Sequence, residues 1–326
     1  MMRQTWKVMA IAAGVIAMAA SASAQTTAVT AEGILKLLPA ETNSVAAIDV
    51  KALRSVPLVQ ELIQTRGYSS DLKALSAATG FQPERDADRV TFAQTGKGRV
   101  AMIAEASYDR AALERYVRER NAAIETYRGH TLYGGPDRAS SFSFVDRFIL
   151  GGDTETVKQV LDRMTAPAPN ATDNASLMAR VRTIEPDSQI WAVGQADASL
   201  LQSTPLSVVQ PLSDLMKSLT AGVYQMRIDQ DIHVKAVGEF QHAESARTAA
   251  DLLRGLIAVF RAQAAGQQAQ PEMVKFLDSV QIDSQEASLT VVIDAPGELL
   301  KSLPLPRPAA LLRPVITGRL SASAAH

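Results

Sequence analysis

The chain of 326 residues contains no cysteine. That absence excludes thiolate nucleophiles, disulfide cross-links, cysteine zinc sites and iron–sulfur ligation, so stability has to come from an ordinary apolar core. Aromatic residues make up only 5% of the sequence, and histidine occurs 4 times. Neither sign of charge is in excess: 33 Lys and Arg stand against 34 Asp and Glu, a net charge of −1. Nucleic-acid binders ordinarily display a strongly basic face, so nucleic acid is not an expected partner. Past the amino terminus, no apolar run reaches the roughly 18 uninterrupted residues of a membrane-spanning helix. The strongest candidate, Leu252 to Ala265, is broken by Arg254 and Arg261. No transmembrane span is expected in the mature chain.

What is present begins with the first 24 residues. Met1 to Lys7 carries Arg3 and Lys7 without an acid, Val8 to Ala20 is almost wholly apolar, and Ala22-Ser23-Ala24 offers the small side chains a signal peptidase accepts. Residues 1–24 therefore read as a secretory signal cleaved between Ala24 and Gln25, which places the mature protein in a periplasm or outside the cell. The apolar run is shorter than the roughly 20 residues that cross a bilayer core, which disfavours a retained anchor. Without cysteine, a lipid-modified amino terminus is excluded. Losing Arg3 and Lys7 leaves 31 basic against 34 acidic residues, a mature charge of about −3.

Along the mature chain, the spacing predicts mixed α and β structure. Val45 to Val50 reads as a buried strand, Ser55 and Pro57 open a helix with Leu58, Val59, Leu62 and Ile63 on its apolar face, and a second helix runs from Ser70 to Thr79 with Gly80 as its stop. Arg89 to Gln94 and Arg99 to Ala106 form a strand pair across Gly96-Lys97-Gly98. Asp109 caps a helix expected to reach Asn121, with Leu113, Tyr116, Val117 and Ile124 on one face. Tyr127 to Tyr133 is strand, turn and strand. Ser141 to Val145 and Phe148 to Leu150 pair about Asp146-Arg147, Gly151-Gly152 breaks the strand, and Asp153 caps a helix through Met164.

Residues 166–178, rich in Pro, Asn and Thr, are the expected linker. They contain two formal glycosylation sequons, Asn170-Ala171-Thr172 and Asn174-Ala175-Ser176. After them the order of elements recurs. The strand Val45 to Val50, reached from Pro39, is echoed by Ile190 to Gln195, reached from Pro186. The pair about Gly96 to Gly98 is echoed by Val223 to Ile228 and Ile232 to Phe240. The helix after Asp109 is echoed by one from Ala243 to about Gln263, and the pair about Asp146 by Ala287 to Asp294 with a helix start at Pro296. The expected architecture is an α+β fold of two similar modules of antiparallel sheet packed with helices, residues 25–165 and 179–303, with a flexible Pro- and Ala-rich tail at 304–326.

The search for chemistry returns little. No G-x-S-x-G elbow is present. His130 falls in a predicted turn, His233 on a strand, His242 before a helix and His326 at the end, with no helical H-x-x-x-H or H-E-x-x-H pair. Glu84-Arg85-Asp86-Ala87-Asp88-Arg89 reads as a solvated loop of alternating sign, and Asp229 and Asp231 as turn residues. Arg110, Arg115, Arg118 and Arg120 lie near Tyr108, Tyr116 and Tyr127, but Glu114, Glu119 and Glu125 interleave with them, and pairs such as Glu114 with Arg118 describe a solvated helix face. Trp191 reads as core. Neither metal nor cofactor is expected, and no residue is assigned as catalytic.

Leu38-Pro39-Ala40-Glu41-Thr42-Asn43-Ser44-Val45-Ala46-Ala47-Ile48-Asp49, Thr79-Gly80-Phe81-Gln82-Pro83-Glu84-Arg85-Asp86 and Tyr127-Arg128-Gly129 resemble motifs of exported bacterial proteins of unknown function, over residues 35 to 165. That resemblance implies the fold class and no activity. The reading is a non-enzymatic exported protein that binds an unknown protein or envelope ligand through sheet faces or a groove between its modules. The alternative is an envelope hydrolase with dispersed catalytic residues, which a pocket joining Asp49, His130 or Glu105 would favour.

Overall fold

The computed structural model describes residues 32–66, 70–96, 98–135, 137–196, 216–266 and 271–299. The expected signal peptide and the 304–326 tail lie outside the described residues. Their strands form one antiparallel sheet: β1 (Thr42–Ile48), β2 (Ala87–Thr95), β3 (Val100–Ala106), β4 (Ala123–Tyr127), β5 (His130–Gly134), β6 (Ser140–Val145), β7 (Phe148–Asp153), β8 (Ile190–Gln195), β9 (Leu219–Ile228), β10 (Asp231–Phe240), β11 (Val280–Gln285) and β12 (Ser288–Pro296). The spatial order is β11-β12-β10-β9-β8-β1-β2-β3-β7-β6-β5-β4. The α+β class read from the sequence is the observed one.

The strand order repeats outward from the β1–β8 seam. One direction gives β1-β2-β3-β7-β6, the other β8-β9-β10-β12-β11, and the hairpin β4-β5 is an addition at the outer edge of the first half. Tight turns close β6–β7 and β11–β12, each with a left-handed residue at the same place, Asp146 (φ 49) and Glu286 (φ 50). The sequence reading paired Ala287 to Asp294 with the whole β6–β7 hairpin. In the fold that stretch is the turn and β12 alone, and the missing partner is β11, whose alternation of Val280, Ile282 and Ser284 with Gln281, Asp283 and Gln285 passed unread.

Helices cover both faces. On one, α6 (Thr154–Thr165) and α7 (Ala175–Val181) pack Val157, Val160, Leu161, Leu177 and Met178 on Val45, Ala47, Ile103 and Leu150 of the first half and on Trp191, Val193 and Val223 of the second. This core therefore crosses the seam. On the other face, α1 (Val50–Arg54) and α2 (Pro57–Arg66) bury Leu53, Val59 and Leu62 against Ile48, Ile190, Met226 and Ile228. There too lie α3 (Ser70–Thr79) and α5 (Arg110–Arg118), over Met102, Tyr133 and Phe144. The turn of helix α4 (Pro83–Asp86) leads into β2. In the second half α8 (Ala243–Gly266) packs Ala246, Ala249 and Ala250 on Phe240 and Leu289, with α9 (Pro271–Asp278) beside it.

Three local expectations change. The helix after Asp109 stops at Arg118, and Asn121 turns left-handed (φ 58), so Ile124 belongs to β4 and is 46% exposed. Gly151-Gly152 does not break the strand: β7 runs through to Asp153, because Gly152 adopts φ 133 and a Cβ there would stand 2.2 Å from the Val100 carbonyl. Residues 166–178 are anchored at points: Asn170 bridges to Pro39, residues Ala171–Asp173 form a 3₁₀ turn, and Asn174 donates to the Thr42 carbonyl at 3.0 Å. The asparagines of both sequons serve as helix caps.

Candidate functional site

Strand alternation puts every second residue of an antiparallel sheet on one face, so cross-strand registers decide which charges meet. On the α6 face, one register row runs through Glu105, Arg89, Asp49, Gln189, Arg227, His233 and Asp294, on or at the ends of β3, β2, β1, β8, β9, β10 and β12 in turn. Arg147 closes its first end with a salt bridge to Glu105. Arg89 stands between two carboxylates, 3.5 Å from Asp49 and 3.8 Å from Glu105, with only 11% of its side chain exposed. Asp49 also caps α1 by accepting the Ala52 N–H at 2.7 Å. Gln189 accepts from the Ile228 N–H at 2.8 Å and donates to the Ile228 carbonyl.

The second end of the row is more exposed. Arg227 contacts Asp187 at 3.1 Å and Asp229 at 2.5 Å, and His233 sits 2.7 Å from Asp294 and 3.5 Å from Asp229. Burial pulls the Asp229 carboxyl upward, but the Asp231 N–H and the charges of Arg227 and His233 outweigh it and hold the group below its usual range. Each ionisable group in the row is matched by an opposite charge or a backbone group. Such an arrangement pins strand register, and it leaves no free base beside a nucleophile.

The three residues that would have favoured a hydrolase are not brought to one pocket. Asp49 and Glu105 are joined only through Arg89, and His130 opens β5 beside the Arg128-Gly129 turn, three strands from Glu105. A cleft of about 310 Å³ does occur elsewhere, at the start of α6, where Arg99, Arg138 and Lys158 face Glu125, Asp153 and Glu155. Its charges are largely paired: Lys158 with Glu125 at 2.7 Å, Arg99 with Glu41 at 3.7 Å, and Asp153 with the Val100 N–H. Among the described residues, no three His, Asp or Glu side chains converge to hold a metal ion.

The remaining candidates fall to structural roles. Glu84, Arg85 and Asp86 form α4 rather than a loop, with Asp86 accepting the Gln82 N–H and lowered in pKa chiefly by Arg85. Asp229 accepts the Asp231 N–H in the β9–β10 turn, as turn chemistry requires. Glu114 pairs with Arg110 at 2.8 Å, Arg118 donates to the Tyr133 hydroxyl, and Arg120 lies 3.4 Å over the Tyr116 ring, so three of the four arginines of that face are engaged within the chain. Trp191 is 4% exposed and belongs to the core.

One broad surface remains. The α8 helix packs on one face of β10, β12 and β11, and the opposite face presents His233, Lys235, Thr290, Asp294, Gln281 and Asp283, half-buried or exposed. The groove expected between the halves is closed, since β1 and β8 are hydrogen-bonded neighbours along their length. No described helix is long and apolar enough to cross a membrane.

No family model and no curated protein matches the chain. Among solved structures the chain is similar to TP0453 in several crystal forms, at 13% identity. Form I aligns over 82% of this chain and 95% of that one with a TM-score of 0.49, and form III over 82% and 96% with a TM-score of 0.46.

Proposed function

We propose that the chain is an exported, non-enzymatic protein of the periplasm or the extracellular space that binds a protein or envelope ligand through the polar face of β10, β12 and β11. The observation that carries this reading is the contrast between two parts of one surface. On this one face of the sheet, α6 and α7 cover the strands about the seam and the row ending at His233 and Asp294 pins the register, whereas farther out, beyond the Arg180–Glu239 and Lys235–Glu185 ion pairs, Thr290, Gln281 and Asp283 stand half-buried or exposed. Antiparallel sheets commonly leave one face to water. Export rests on the leader-like residues 1–24, and the two-module organisation on the repeated strand order.

The test is a panel of ester, glycoside and peptide substrates offered to the purified mature chain, with the Asp49→Asn and Glu105→Gln variants alongside. The expected result is no turnover that either variant removes. Turnover abolished by one of them would establish a hydrolase and overturn the reading. Intact mass of the exported product tests the leader separately: it should begin at Gln25, and retention of Met1 would contradict cleavage.

A further inference from the structure

A sheet that does not close has two edges, and here they differ. At one edge β11 is engaged by a helix. Its hairpin with β12 closes on the Gln285–Ser288 pair, so alternation turns the backbone groups of Ile282 outward, and Arg254 of α8 donates to the Ile282 carbonyl at 2.8 Å. At the other edge, the β4–β5 hairpin closes on Tyr127 and His130 through Arg128 (φ 47) and Gly129 (φ 81), a two-residue turn with both residues left-handed. The hydrogen-bonded pairs are then Tyr127–His130, Glu125–Leu132 and Ala123–Gly134, which turns the N–H and C=O groups of Ile124 and Thr126 away from the sheet. Among the described residues nothing bonds to them. Ile124 is besides one of the few large apolar side chains left exposed, at 46%.

We infer that β4 pairs with β4 of a second copy of this chain, antiparallel about a two-fold axis, to continue the sheet through both molecules. The register follows from the side chains. Centred on Glu125, the pairing would oppose two carboxylates, each already committed to a Lys158. Centred on Ile124, it sets Ile124 against Ile124, Ala123 against Glu125 and Ala122 against Thr126. No like charges then face each other, and both exposed isoleucines are covered. One patch satisfies itself, as a two-fold interface requires. A strand of five residues is short and buries less than a standard interface, so the dimer is of micromolar affinity and dissociates on dilution.

Sedimentation of the mature chain across the micromolar range should show a reversible monomer–dimer equilibrium. Ile124→Lys, which places two ammonium groups at the axis, and Thr126→Pro, which removes an outward N–H without touching the β5 ladder, should both give monomer with unchanged thermal unfolding. The absence of cysteine permits a second, register-specific readout. Oxidised Ile124→Cys should form a disulfide dimer, since directly opposed residues lie within disulfide reach, and Thr126→Cys should not. A chain that is monomeric throughout that range, a dimer that survives both edge variants, or equal cross-linking of the two cysteine variants would overturn the inference.

Discussion

Replacing Arg89 with alanine perturbs the fold where charge is most deeply placed. The Arg89 side chain is 11% exposed, and its two partners, Asp49 and Glu105, are 15% and 7% exposed. Removing one member of a buried ion pair typically costs about 3–5 kcal/mol, because the partner is left charged in a poor solvent. Two features move this case to the lower bound: the separations are long, at 3.5 and 3.8 Å, and both carboxylates keep another partner, the Ala52 N–H for Asp49 and Arg147 for Glu105. The expected loss is therefore about 3 kcal/mol, or roughly 5 °C in melting temperature for a chain of this size. The triple change Asp49→Asn, Arg89→Met and Glu105→Gln should recover most of it. Urea unfolding at neutral pH measures both effects. A loss under about 1 kcal/mol, or one that the triple change leaves in place, would refute the reasoning.

Gly194→Ala should destabilise by about 1–3 kcal/mol through the seam, since a Cβ there would stand 2.2 Å from the Ser44 hydroxyl and 2.7 Å from the Ser44 Cα. Ser44→Gly should rescue it only in part, because the backbone at position 44 would still crowd the added methyl group; thermal melts of the single and double variants decide. Burial pushes the Tyr108 phenol up to about 12, and its hydroxyl donates to the Phe148 carbonyl at 2.8 Å. The folded protein thus holds a proton that the unfolded chain releases near pH 10, so this contribution is complete below pH 10 and is lost as pH rises through about 12. Tyr108→Phe should cost about 1 kcal/mol at neutral pH and flatten that alkaline decline. Because one core spans both halves, denaturant unfolding followed by Trp191 fluorescence and by far-ultraviolet circular dichroism should give a single coincident transition.

How far the sequence reached depended on the range of the interaction involved. Caps and short-period patterns are local, and Asp109, Gly80 and the alternation in Phe142 to Leu150 located α5, the end of α3 and the β6–β7 hairpin within a few residues. Where tertiary geometry overrides local preference, the reading slipped: Ile124 continues a helical period but lies in β4, and Gly152 sits in a strand because Val100 approaches it too closely for a side chain. The charged row was invisible for a related reason. Arg89 read as the end of a solvated loop, and its burial follows from its register against Asp49 and Glu105, 40 positions back along the chain in the first case. His233 and Asp294 likewise meet across 61 positions, and no linear spacing encodes that pairing.

The most direct measurement is site-specific photo-cross-linking in cells that export the chain with its own leader, with the reactive side chain placed at Thr290 on the polar face of β12. The account predicts a discrete, recurrent adduct in the envelope fraction from Thr290, and from Lys235 and Gln281 on the same face. Export without any adduct from these three positions would contradict it.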